Sequence, residues 1–242
     1  MNGKIIAIIP ARGKSKRIPY KNIKPFLNVP IIKYSINAAI KARCFDEIMV
    51  STDDHEIAEL AISFGANFPF YRSPETSHDY ATTAEVLEEV IRNYSRIGKQ
   101  FKFLCCIYAT APFVTSEKLK KALMLLRKSG ADCVLPIVRF SYPIQRCLII
   151  KDRMVKMKWP ENYNKRSQDL ETFYHDCGQF YFMRTKSLLS QKKLYAKHTV
   201  PFEINEYEAQ DIDTLEDWET AELMYEVAKK RGLLSDIINL ED

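Results

Sequence analysis

Five cations, Arg12, Lys14, Lys16, Arg17 and Lys21, fall in one short stretch with Gly13 and Ser15 between them and no acidic residue among them. Small residues let backbone N–H groups approach oxygen atoms closely, so this stretch suits a ligand carrying several phosphates. Near the other end of the chain Asp211 and Asp213 alternate in Gln210-Asp211-Ile212-Asp213-Thr214. If that segment is extended, both carboxylates face one way and can share one divalent ion. Each stretch has a plainer explanation. A basic run is ordinarily a solvated surface, and Thr214-x-x-Asp217 has the form of a helix-capping box. Placement favours the ligand reading for the first, which directly follows an apolar strand. For the second, a cap does not require Asp211 or Asp213. Neither a Walker loop nor a GxGxxG turn is present.

The elements that must position these groups are legible in the pattern. Ile5 to Ile9 is an unbroken apolar, β-branched run of the kind found in strands covered on both faces. Pro10 ends it and sends the basic loop off the carboxyl edge of a sheet, where open α/β sheets bind ligands. A helix is expected from Pro30 to about Arg43, a strand over Glu47 to Ser51, and a helix from the cap Thr52-Asp53-Asp54 to Gly65. A brief third strand is expected over Asn67 to Tyr71, with Arg72 delivered to the ligand edge. A helix capped by Thr82-x-x-Glu85, a strand from Phe101 to Ile107, a helix capped by Thr115 and a strand from Ala131 to Val138 continue the alternation. A final helix is expected over residues 215–230. The fold class is α/β, with a doubly wound, mostly parallel Rossmann-like sheet. The whole chain, 1–242, reads as one domain. Residues 140–175, rich in Tyr, Arg, Asn and Pro, form an excursion with short strands near Cys147–Ile150 and Val155–Trp159.

Composition narrows the function further. With 46% hydrophobic residues in 242, the chain can bury a full core. The six cysteines show no CxxC pair and no metal spacing, which points to reduced core thiols and a cytoplasmic location. No apolar run is long enough for a membrane span, and no signal-peptide pattern precedes the first strand. The net charge of +5 is divided, with residues 1–24 basic and 203–226 strongly acidic. Basic residues interleaved with aromatics over a face, as nucleic acid would require, are not seen. The division suits an anionic ligand at one end and a cation at the other.

The spacing Arg12-x-x-Ser15-Lys16-x-x-x-x-Lys21-Asn22 after a strand ending in proline resembles the signature of the nonulosonic (sialic-type) acid cytidylyltransferases, the CMP-sugar synthetases. Four further stretches extend the resemblance. Asp79, Thr82 and Thr83 match a D-x-x-[ST]-[ST] element. Tyr108-Ala109-Thr110-Ala111-Pro112 is similar to the strand-end LQPTSP motif, with Tyr108 where glutamine usually reads the pyrimidine. Arg166-Ser167-Gln168-Asp169-Leu170 with Tyr174-His175-Asp176-Cys177-Gly178-Gln179-Phe180-Tyr181 is similar to the pseudaminic acid branch. Asp211-Ile212-Asp213-Thr214-x-x-Asp217-Trp218 matches the metal element.

The resemblance implies that CTP and a nonulosonic acid, pseudaminic acid first, react to give a CMP-sugar and pyrophosphate. Legionaminic, N-acetylneuraminic or 3-deoxy-octulosonic acid are the alternative substrates, and a non-catalytic nucleotide sensor is the alternative from another class. Arg12, Lys16, Lys21 and Asp211 are implied as catalytic groups. Ala11, Arg12, Gly13, Ser15, Asn22, Arg72, Thr82 and Tyr108 would contact the nucleotide, and Arg166, Gln168, His175 and Gln179 the sugar acid. Asp211 and Asp213 would hold Mg²⁺. The excursion would reach over a partner in a homodimer. Without the resemblance, Gly178 to Phe182 reads as a buried strand with one polar residue, and His78 as a loop residue. Lys14 replaces the glycine common in relatives.

Overall fold

A computed structural model describes residues 3–236 and residue 238. The strands are β1 (Ile5–Pro10), β2 (Pro25–Phe26), β3 (Val29–Pro30), β4 (Glu47–Ser51), β5 (Phe103–Ile107), β6 (Cys133–Arg139), β7 (Leu148–Lys151), β8 (Met154–Met157), β9 (Tyr174–Asp176), β10 (Phe180–Arg184) and β11 (Thr199–Glu203). The α-helices are α1 (Ile31–Ala42), α2 (His55–Ser63), α3 (Pro74–Ser77), α4 (Thr83–Arg96), α5 (Ser116–Ser129), α6 (Thr185–Gln191) and α7 (Leu215–Lys230). The main sheet runs β11-β6-β10-β5-β1-β4, with β9 also paired to β6. β4, β1 and β5 are parallel, as are β6 and β11, while β10 and β9 run antiparallel to their neighbours. The sheet is thus mostly parallel, as the sequence pattern implies.

β1 shows why its run is apolar throughout. Ile5, Ala7 and Ile9 enter a core shared with α1, α2 and α5, and Ile6 and Ile8 enter a second core shared with α4 and α6. Helices therefore cover both faces. The chain crosses from β1 to β4 on one side and returns to β5 on the other, so the carboxyl end of β1 is a topological switch point. Both anticipated capping boxes are present, at Thr82–Glu85 and Thr214–Asp217. The third strand expected over Asn67 to Tyr71 does not form. Asn67 bridges to Met49, but Pro69 offers no ladder N–H, and Phe68 and Tyr71 turn edge to face on each other instead. The excursion carries the β7–β8 hairpin, a separate two-stranded sheet whose Leu148, Ile149, Ile150, Met154 and Val155 are exposed. Cys105, Cys106, Cys133 and Cys177 are buried free thiols, and Cys44 and Cys147 are free and half-buried. Among the described residues no helix is long and apolar enough to cross a membrane.

A third apolar cluster joins the two ends of the chain. Ile18, Phe26, Val29, Ile31 and Tyr34 meet Phe113, Ile212, Trp218, Ala221 and Tyr225. Phe26 is its centre, edge to face with Tyr34, Trp218 and Tyr225 at centroid distances of 5.4, 5.8 and 5.7 Å. Each such pair adds about 0.5–1.5 kcal/mol beyond burial. Phe26→Ala should lower the unfolding free energy in urea by ~3–5 kcal/mol; a loss below about 1 kcal/mol would mean that this cluster does not anchor α7.

Candidate active site

The basic loop is anchored before it reaches any ligand. Ile18 is 1% exposed and Ile212 is fully buried, and both belong to the third cluster. Each is the apolar residue inside one of the charged motifs, so burying them brings the motifs together. Lys21 Nζ donates to the Ile212 carbonyl at 2.6 Å and lies 3.6 Å from Asp213, while Arg17 pairs with Asp213 at 2.7 Å. Asn22 Nδ2 donates to the Arg12 carbonyl at 2.8 Å, closing the loop on itself. Ser15 N–H donates back to the Gly13 carbonyl at 3.2 Å.

Carboxylates from elsewhere in the chain supply the counter-charge that the loop lacks. Asp79 pairs with Arg12 at 2.8 Å and also with Lys16. The hydrogen bond from Lys16, then that from Arg12, holds the Asp79 carboxyl below the usual range. Gly13 N–H donates to Asp53 at 2.9 Å. Gly13 is required by space: a Cβ there would lie 2.7 Å from Asp54 Cβ. The anchoring roles of Asp53 and Asp79 left no signal in the sequence, because the loop atoms they hold are far away along the chain. Ala11 is buried, and its N–H is used in a bond to the Ser51 carbonyl, so that donor serves the sheet rather than a nucleotide.

A cleft of about 590 Å³ opens beside the loop, lined by Arg12, Lys14, Lys16, Asp53, Tyr71, Arg72, Pro74, Ser77, His78 and Asp79. Arg72 donates to the Thr76 carbonyl, and its buried Nε has no partner among the described residues. Burial disfavours its charge, while Asp53 and Glu89 favour it. Thr82 is committed to its cap, accepting from Glu85 N–H at 3.3 Å. Its neighbour Thr83 reaches the Tyr108 hydroxyl at 3.0 Å. Burial pushes Tyr108 up to about 12, so it remains a neutral hydroxyl. Tyr108 meets Tyr181 edge on at 5.6 Å. Tyr181 and Tyr195 both donate to Asp176 Oδ2, at 2.6 and 2.8 Å.

The expected sugar contacts divide. His175 is exposed, with Nδ1 2.9 Å from the Asp176 carbonyl and its ring 4.7 Å from Phe140. Arg166 and Gln168 are exposed on the excursion, Arg166 paired with Asp169 at 2.8 Å, and neither lines the cleft. Gln179, expected to meet the sugar acid, is 1% exposed and its amide donates to the Glu208 carbonyl, so it faces the interior. The reason is its place at the head of buried β10, the strand alternative recognised in the sequence.

Asp211 lies beside Gly178 on the same edge of the sheet. The residue keeps solvent access, yet the groove walls desolvate its carboxyl, and this, followed by the charge of Asp213, raises it above the ordinary range. Among the described residues no group of three or more His, Cys, Asp or Glu side chains could hold a metal ion. A two-carboxylate set of hard oxygens, of which Asp213 already carries Arg17 and Lys21 as counter-charges, fits a hard divalent cation whose other ligands come from water or phosphate.

A sheet switch point, a polycation loop and an acid pair on one edge together describe a nucleotide-transferring site, and a sequence model of the Cytidylyltransferase family matches residues 6–240. The chain belongs to the cytidylyltransferase family. It is a nucleotidyltransferase. The pseudaminic acid cytidylyltransferase of Campylobacter jejuni subsp. jejuni serotype O:2 is 39% identical over 93% of this chain and 97% of its own length. The CMP-N,N'-diacetyllegionaminic acid synthase of Legionella pneumophila is 30% identical over 93% of this chain and 97% of its own. The solved structure of CMP:2-keto-3-deoxy-manno-octonic acid synthetase complexed with CTP shares the fold, with a TM-score of 0.67 at 16% identity, over 93% of this cytidylyltransferase and 99% of that chain.

The raised Asp211 carboxyl makes a prediction about stability. A carboxyl raised in the folded state costs stability above the unfolded value, and the cost is relieved as pH falls through the raised value. Asp211→Asn should therefore raise the melting temperature at pH 7, with the gain vanishing as pH falls into the carboxylate range. A lower melting temperature at pH 7 would show that Asp211 supports the fold instead.

Proposed function

We propose that this cytidylyltransferase joins CTP to pseudaminic acid, giving the CMP-sugar and pyrophosphate. The observation that carries the reading is the meeting of Arg17 and Lys21 with Asp213: the cation loop and the acid pair serve one polyanion from two flanks. The 39% identity to the Campylobacter jejuni pseudaminic acid cytidylyltransferase supports the choice of sugar acid.

In this reading the triphosphate replaces Asp79 on Arg12 and Lys16. One carboxylate gives way to a more highly charged partner, so the two cations are never both left bare. The anomeric hydroxyl of the sugar acid attacks the α-phosphorus in line, and pyrophosphate leaves without a covalent enzyme intermediate. Arg12, Lys16 and Lys21 stabilise the charge gathering on pyrophosphate. Asn22 holds the loop backbone that presents Arg12. Arg72, whose buried Nε is unpaired among the described residues, faces the same cleft. Tyr108 and Thr83 form the wall on which the cytosine rests. Asp211 and Asp213 would hold Mg²⁺, which when bound supplies Lewis-acid polarisation of the α-phosphoryl group.

The exposed β7–β8 hairpin, with Leu148, Ile150, Met154 and Val155 on its surface, fits a two-fold partner. Placing Arg166, Gln168 and His175 over a neighbouring groove would give the sugar carboxylate its cation. The enzyme's location is proposed to be cytoplasmic, where CTP is available and buried thiols stay reduced.

The test is pyrophosphate release with CTP and a panel of pseudaminic, legionaminic, N-acetylneuraminic and 3-deoxy-octulosonic acids. Pseudaminic acid should give the highest kcat/KM. Arg12→Ala and Asp211→Ala should each cost roughly 10²–10³ in kcat with the fold retained. CTP binding with no turnover of any acid would favour a nucleotide sensor, and near wild-type rates for either variant would sink the assignment of roles.

A further inference from the structure

Asp176 has more donors than its strand needs. It is the last residue of β9, whose pairing with β6 uses backbone groups alone. Its carboxylate nevertheless accepts from three separate places. Gly178 N–H reaches Oδ1 at 2.9 Å, while the hydroxyls of Tyr181, on β10, and Tyr195, beyond α6, reach Oδ2 at 2.6 and 2.8 Å. Neither a helix cap nor a sheet ladder accounts for this arrangement.

Two of those donors lead to opposite flanks of the groove. Gly178 has φ +60°, a conformation that L side chains rarely adopt, and a Cβ there would lie 3.3 Å from Asp211 Cγ and Oδ1. Its bare backbone is the wall against which the Asp211 carboxylate rests, and the bond to Asp176 fixes that wall. In the other direction Tyr181 sets its ring edge on Tyr108, whose hydroxyl meets Thr83 at the start of α4. One carboxylate thus fixes the backbone behind the acid pair and the ring stack beside the nucleotide.

The arrangement carries an electrostatic cost. Asp176 sets a third carboxylate behind the Gly178 turn on which Asp211 rests, close to the acid pair. An apolar side chain of similar size would pack between two tyrosines without repelling the acid pair. A third negative charge near two others is useful when a cation is to be held there.

We propose that Asp176 is a positioning residue, tying the Gly178 wall of the acid pair and the Tyr181–Tyr108 wall of the nucleotide site to one anchor. The proposal rests on the reading of Asp211 and Asp213 as metal ligands, and its test separates the two. Mn²⁺ binding in the presence of CTP and absence of any sugar acid is followed by titration calorimetry on the full chain, alongside melting temperature and the KM for CTP. Asp176→Asn keeps the size but presents an N–H₂ group to one of three donors. It should weaken Mn²⁺ binding by roughly 10–100-fold and raise the KM for CTP. Tyr195→Phe removes one exposed donor and leaves both walls attached, so it controls for loss of stability and should change Mn²⁺ affinity less than threefold. Wild-type Mn²⁺ affinity and CTP KM in Asp176→Asn would overturn the proposal. So would equal losses in the two variants accompanied by equal falls in melting temperature. Wild-type protein that binds no Mn²⁺ would instead overturn the metal reading on which the proposal rests.

Discussion

The site depends on an apolar contact rather than on its charges. Ile18 sits inside the basic loop and Ile212 inside the acid pair, and both are buried in the cluster centred on Phe26 and covered by α7. An exposed ion pair contributes about 0–1 kcal/mol and is screened by salt, so Arg17 and Lys21 could not hold Asp213 in place by attraction alone. Burying two isoleucines is worth several times that, about 1.5–3 kcal/mol each. Hydrophobic burial sets the distance between the opposite charges, and the charges are then free to exchange partners.

That division explains how a loop of five cations coexists with a stable fold. Asp79 and Asp213 arrive from different segments and pair with different cations of it, and Asp53 holds its backbone at Gly13. The neutralising groups lie at the groove rather than in the core, so a phosphate chain can replace one without unfolding anything. Asp79 shows this most clearly, since it holds Arg12 and Lys16 together and remains exposed at the cleft. Asp211 differs, because among the described residues its carboxyl has no cation bonded to it and it is raised by its surroundings. The groove is therefore charge-paired along the basic loop and at Asp213, and crowded by like charge at Asp211.

How much of this was legible in the sequence follows from the range of each interaction. β1, the loop after Pro10, and both capping boxes rest on residues close in sequence, and these were readable. The strand expected over Asn67 to Tyr71 failed because Pro69 lacks the N–H that a ladder needs. Gln179 looked like a substrate contact from its motif, while the sheet order that buries it between β5 and β6 depends on long-range pairing. The antiparallel direction of β10 was hidden for the same reason. The contacts by which Asp53 and Asp79 hold the loop join segments far apart in the chain. A period-two or capping pattern carries no trace of such contacts.

The central claim is that the loop at one end and the acid pair at the other address the same triphosphate. Phosphorus-31 relaxation of protein-bound CTP, with Mn²⁺ as the divalent ion, tests it directly. The account predicts strong broadening of the α-phosphorus resonance, lost in Asp211→Asn and Asp213→Asn while CTP stays bound through the loop. Broadening confined to the β- and γ-phosphorus resonances and unchanged by both substitutions would contradict it.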